Sequence, residues 1–207
     1  MTGVQTCALP ILFVATPTNQ VIAIEAKTGK ILWRFRRPAP EGSLVPHQTT
    51  RGLALYGDKV FFAVGEAVLV AIDVKTGKEV WATKVEENKN GYYITMAPLV
   101  ADGKVFVGAS GGERGIRGFV AAFDPETGKE LWRSFTVPAP GDPGSETWPK
   151  GDQWKTGGGP MWITGTYQAG LLGDRQWRPV DGRSAPRRQS LHQLRSEERR
   201  VGKECRL

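Results

Sequence analysis

The chain has 207 residues, with 28 Lys plus Arg against 21 Asp plus Glu, a formal charge of +7, and two cysteines, Cys7 and Cys205, one near each end. No apolar run is long enough to span a membrane, and the interior carries no cysteine for a disulfide or a thiolate metal site. From Leu12 to Tyr167 the balance narrows to 18 basic against 16 acidic side chains, so composition supports no basic surface for nucleic acid.

The first eleven residues, MTGVQTCALPI, can be written in codons that match a sequencing-library adapter. At the other end RSEERRVGKEC, Arg195 to Cys205, can be written as the reverse complement of the companion adapter. Residues 1–11 and 195–207 are therefore expected to be translated linker, outside any fold. ALPILFVA has the apolar character of a secretion signal, but no cationic start precedes it, and it reads as linker joined to a strand.

A repeat organises residues 12–167. AIEAKTGKILW (Ala23 to Trp33), AIDVKTGKEVW (Ala71 to Trp81) and AFDPETGKELW (Ala122 to Trp132) align without gaps. Each alternates apolar and polar residues into an acidic, Thr-Gly turn and resumes as a strand ending in Trp, which is a hairpin pattern. The spacing of about 50 residues suits one four-stranded propeller blade per repeat. Trp33, Trp81 and Trp132 could stack on a ligand, but one per repeat at a fixed offset favours packing between blades. Further strands are expected at Val60 to Val64, Val68 to Ile72, Pro98 to Val100, Val105 to Gly108 and Phe119 to Phe123, with no helical periodicity between them. The fold class predicted is all-β, a partial β-propeller of about three blades, an arc of the ring that such folds close.

Gly108-Ala109-Ser110-Gly111-Gly112 matches a G-x-S-x-G nucleophile elbow in letters only, because Gly112, Gly115 and Gly118 oppose the helix that should follow. His47 is the one histidine before the tail and reads as a loop residue rather than a base or ligand. Glu113, in the same glycine run, reads locally either as a solvated side chain or as a carboxylate for a hard cation such as Ca²⁺. Gly157-Gly158-Gly159 before Met161-Trp162 reads either as a loop leading into a core strand or as part of a site. After Tyr167 the repeat logic stops. Read one base later, GLLGDRQW (Gly170 to Trp177) permits VYWGTGNG, and Val180 to Gln193 permits WMGDLRPGDNLYTN, so residues 168–194 are expected to be frame-shifted.

Taken together, RGLALYGDKVF, ITMAPLV, GKVFVGASGGERGIRGF, the TGK..W hairpins, SETWPKGDQWKTGGGPMW and the shifted WGTGN resemble the PQQ-dependent (pyrroloquinoline quinone) alcohol dehydrogenases of the methanol dehydrogenase type, which are eight-bladed propellers. The resemblance implies cofactor contacts from Arg51, Thr95, Ser110, Gly111, Gly112 and Trp162, with Trp162 stacking on the ring, and a Ca²⁺ or lanthanide ligand in Glu113. It implies oxidation of a small alcohol, electron transfer to a cytochrome c and a periplasmic location. Several positions depart from the family. LVPHQTTRG stands where adjacent cysteines often form a ring disulfide, and Pro160 stands where some members have a hydroxyl residue. The metal-binding asparagine is legible only in the shifted frame, where this chain has Gln176, and the catalytic aspartate belongs to a later blade. The chain as written is therefore expected to be inactive, with no catalytic residue of its own. The alternative is a non-enzymatic propeller of the same repeats, acting as a scaffold or binding module.

Overall fold

The computed structural model describes residues 11–44 and 49–167. His47, both cysteines, Gln176 and the frame-shift and linker expectations for 168–194 and 195–207 lie outside the described residues, as do all but Ile11 of the first eleven.

Three antiparallel sheets follow one another along the chain. The first is β1 (Ile11–Thr16), β2 (Gln20–Glu25) and β3 (Ile31–Arg36). The second is β4 (Ala54–Tyr56), β5 (Lys59–Val64), β6 (Val68–Asp73) and β7 (Glu79–Lys84), and the third is β8 (Leu99–Ala101), β9 (Lys104–Gly108), β10 (Phe119–Phe123) and β11 (Glu130–Phe135). The strand starting at Ile11 takes that residue into the ladder, opposite Glu25. All five expected strands form, each within one or two residues of its expected limits. Each of the second and third sheets pairs its strands strictly in sequence order, the up-and-down meander of a propeller blade.

Strand alternation explains the core. In β5 Val60, Phe62 and Val64 face the first sheet, whereas Phe61 and Ala63 face the third. β5 is buried along its whole length because the second sheet lies between the other two. The first core joins Val21 and Phe35 to the outer side of the second sheet, and the other joins Leu69, Ala71 and Phe61 to Val105, Val107, Phe119 and Phe123.

The repeated turn is built by its own side chains. Asp73 Oδ1 accepts from the Thr76 backbone N–H at 2.7 Å and from the Thr76 hydroxyl at 2.7 Å, and Asp124 does the same with Thr127 at 2.8 Å each. Gly77 and Gly128 close these turns with φ of 70° and 71°. They also leave room for the neighbouring sheet's tryptophan: a Cβ on Gly77 would lie 2.6 Å from the Trp33 ring, and one on Gly128 2.6 Å from Trp81. Trp33 Nε1 donates to the Val74 carbonyl and Trp81 Nε1 to the Pro125 carbonyl, both at 3.1 Å. These tryptophans therefore pack one sheet onto the next, as their spacing predicts. Nearly buried Lys59 adds a link, with Nζ 2.7 Å from both Asp58 in its own sheet and Glu126 in the next.

No α-helix occurs among the described residues, only four 3₁₀ turns, at Asn88–Asn90, Gly112–Arg114, Ser145–Thr147 and Gln153–Thr156. None is long and apolar enough to cross a membrane. The core strand offered as one reading of Met161-Trp162 does not form; the segment is irregular and Ile163 is exposed, because no strand edge pairs with it.

Candidate functional site

A cleft of about 510 Å³ opens where segments from the second and third sheets meet the chain after β11. Its lining includes Arg51, Tyr93, Thr95, Ser110, Glu113 and Trp162, together with Gly112 and Pro160. The size lies within the range of small-molecule sites.

The chain ahead of β4 runs beside the chain ahead of β8, so the Arg51 N–H donates to the Thr95 carbonyl at 3.0 Å. The Arg51 guanidinium then reaches back to the Thr95 hydroxyl at 2.5 Å. Thr95 Oγ1 lies 3.1 Å from Ser110 Oγ, and both residues are buried, so the two hydroxyls and the cation form one polar strip on an apolar floor. Ser110 lies two residues beyond β9 and is bridged to Tyr93, its N–H donating to the Tyr93 carbonyl at 2.8 Å. That places Ser110 in extended pairing rather than at the head of a helix, and the nucleophile-elbow arrangement is absent.

Gly111 turns the chain out of this pairing. Its φ is 117°, and a Cβ there would meet the Gly91 carbonyl oxygen at 2.3 Å, so only glycine fits. The turn Gly112–Arg114 follows and carries Glu113 to the cleft. Gly112 lies against Pro160, which would meet a Cβ at 2.8 Å. The Glu113 carboxylate accepts from the Tyr93 hydroxyl at 2.8 Å. Burial first, and the neighbouring Glu113 carboxylate second, push the Tyr93 phenol up to about 12, so it stays a donor at neutral pH.

The far wall depends on Arg117. Its guanidinium lies 3.8 Å from the Phe135 ring centre and 4.7 Å from that of Trp154, and Nε donates to the Val137 carbonyl at 2.8 Å. Its backbone bridges Gly158, which ties the segment Gly157 to Trp162 to the glycine loop. Burial holds the Arg117 guanidinium below its ordinary value. Trp162, 43% exposed, presents its ring to the cleft with the Arg51 guanidinium 4.7 Å above it. A flat ligand would stack on the other face or displace Arg51.

All seven residues named from sequence thus meet in or beside one cleft, Gly111 as the turn behind it. Tyr93, Thr49 and Arg117 were not named, and Gly158 reads from sequence either as loop or as part of a site. Tyr93 had a signal in its spacing, since residues two apart in extended chain share a face and Thr95 was already assigned. Arg117 had none, because the partners of its side chain arrive from residues 135–154.

A cation, two hydroxyls, a nearby carboxylate and an indole face suit a flat, multiply charged anion beside a hard cation. Among the described residues no group of three or more His, Cys, Asp or Glu comes together. A hard cation at the cleft would find one carboxylate ligand in Glu113.

Comparison with known proteins bears on this arrangement. Residues 7–171 match the family described as the glucose/ethanol/alcohol dehydrogenase β-propeller domain, designated PQQ. The chain is 38% identical over 175 residues to quinoprotein alcohol dehydrogenase PedH of Pseudomonas putida, covering 76% of this chain and 29% of that protein. Among solved structures it is similar to a europium-containing methanol dehydrogenase, with a TM-score of 0.71, 33% identity and coverage of 77% of this chain and 32% of the other. The quinohemoprotein alcohol dehydrogenase of Comamonas testosteroni gives a TM-score of 0.65 at 34% identity, over 78% of this chain and 26% of the other. The chain thus spans less than a third of the length of these relatives.

Proposed function

Because this chain belongs to the PQQ-dependent glucose/ethanol/alcohol dehydrogenase β-propeller family, we propose that it supplies the cofactor-holding blades of a periplasmic enzyme that oxidises small alcohols to aldehydes and passes the electrons to a cytochrome c. One observation carries the reading: Arg51, Thr95, Ser110, Glu113 and Trp162, spread over more than a hundred residues, line a single cleft. When bound, PQQ with Ca²⁺ or a lanthanide supplies a quinone carbonyl made electrophilic toward the hydride of an alcohol.

The chain's own residues bind and orient. Arg51 offers a fixed positive charge to acid groups or quinone oxygens, and Thr95 and Ser110 offer hydroxyls already aligned by their mutual hydrogen bond. Glu113 is the cation ligand, Trp162 is the stacking surface, and Gly111 and Gly112 let backbone approach the ring. The catalytic aspartate that the resemblance implies belongs to a later blade, so the part assigned to the residues here is to bind and orient. A pure scaffold has no use for this combination of carboxylate, guanidinium and exposed indole.

The test is to titrate PQQ with Ca²⁺ into the full chain and follow tryptophan fluorescence. Saturable quenching is expected, weakened more than about 10-fold by Arg51→Ala, since a lost charge partner costs a few kcal/mol. No saturable quenching would sink the reading, and alcohol-dependent dye reduction by this chain with PQQ would sink the division between binding and turnover.

A further inference from the structure

Two adjacent tyrosines hold the glycine loop at both ends. Tyr93 donates from its hydroxyl to Glu113 Oε1 at 2.8 Å, twenty residues along the chain. Tyr92 holds the far end: its hydroxyl accepts from the Arg117 N–H at 3.2 Å and donates to the Arg117 carbonyl at 3.3 Å. Tyr93 is itself anchored, nearly buried and paired through its backbone to Ser110. Glu113, by contrast, is exposed and stands on a three-residue turn between two glycines in left-handed conformation, so its own backbone restrains its side chain little.

The geometry points to Tyr93 as the positioning residue for Glu113: its hydroxyl holds the carboxylate toward the cleft, in place for a hard cation. The inference rests on the proposed role of Glu113 as a cation ligand. A ligand side chain that is already oriented gives up less freedom on binding, and groups that orient ligands commonly change metal affinity by an order of magnitude or more. Tyr93→Phe removes the hydroxyl that donates to Glu113 and keeps the ring that fills the space.

The probe is Tb³⁺, an oxygen-seeking cation whose emission is sensitised by nearby tryptophan, titrated into the full chain. Affinity is read from the titration midpoint rather than from intensity. Glu113→Gln is expected to abolish the tight site, and Tyr93→Phe to weaken it about 10-fold. Tyr93→Phe should lower Tb³⁺ affinity while leaving the urea midpoint unchanged, which a merely structural role would not produce. Urea unfolding of each variant separates loss of affinity from loss of fold. Native affinity in Tyr93→Phe, with binding lost in Glu113→Gln, would overturn the positioning role and leave Glu113 as ligand. Native affinity in Glu113→Gln, or no tight Tb³⁺ site in the unmodified chain, would overturn both.

Discussion

The connection from β5 to β6 and the connection from β9 to β10 occupy the same place in two neighbouring sheets, and each carries a glutamate. The first is short, residues 65–67, closed by the Ala67 N–H donating to the Val64 carbonyl with Ala67 itself at a φ of 61°. Its Glu66 is 6% exposed and accepts from Asn19 Nδ2 at 2.6 Å, while Asn19 Oδ1 accepts from the Gly65 N–H at 3.0 Å. That carboxylate fastens the first sheet to the second. The other connection, residues 109–118, is widened by glycines, and its Glu113 stands exposed at the cleft. Loop width decides the outcome, because a tight turn leaves its side chain against the adjoining sheet whereas a wide one carries it clear.

The largest effect that sharpens this contrast is on stability. Asn19→Ala leaves a buried carboxylate without its donor and the Gly65 N–H without its acceptor, and should lower unfolding free energy by about 3 kcal/mol. Glu113→Ala should cost less, about 1 kcal/mol, because it removes the acceptor of a Tyr93 hydroxyl that lines the cleft, where water can take its place. Urea midpoints check both, and equal losses would break the comparison.

A smaller effect concerns the widening itself. Gly111→Ala forces a Cβ to 2.3 Å from the Gly91 carbonyl oxygen in a backbone conformation that side chains resist. It should lower stability by about 2 kcal/mol, measured as a shift in the thermal midpoint. An unchanged midpoint would mean that the loop takes another path.

The smallest effect lies at the other end of the same sheets, where the two turns are alike. The Thr76 hydroxyl holds the Asp73 carboxyl below its ordinary value of 3.8, and the Thr127 N–H does so for Asp124. Folded values below unfolded ones mean that this stabilisation is complete above the ordinary value and is lost as pH falls through the folded value. Lys59 runs the other way. The hydrogen bonds that Lys59 Nζ donates to Asp58 and Glu126 raise it above 10.5, so its contribution is present below that value and fades as pH rises through the folded one. Unfolding midpoints followed into acid should therefore fall, with Asp73→Asn and Asp124→Asn flattening the slope to a similar degree; a flattening by one alone would show that the turns are not equivalent.

The blades were legible because their instructions are local. Asp73, Thr76 and Gly77 build a turn within five residues, and the apolar alternation on either side sets the strand faces. Trp33 and Trp81 were legible in kind, as packing residues, but not in partner, since the glycine each covers lies more than forty residues away. Of the two readings of Met161-Trp162, the core strand does not form, because apolar character alone does not provide a pairing edge.

By itself the sequence determined the strands, the turns, the three-sheet division and, through resemblance, which seven residues to watch. Tertiary structure alone decided that the carboxylate of Glu66 is buried and that of Glu113 exposed, that Tyr93 holds Glu113, and that Arg117 ties the far wall to the glycine loop. The physical reason is range: turn chemistry and side-chain alternation act over a few residues, whereas these contacts exist only once packed sheets bring distant segments within hydrogen-bond reach.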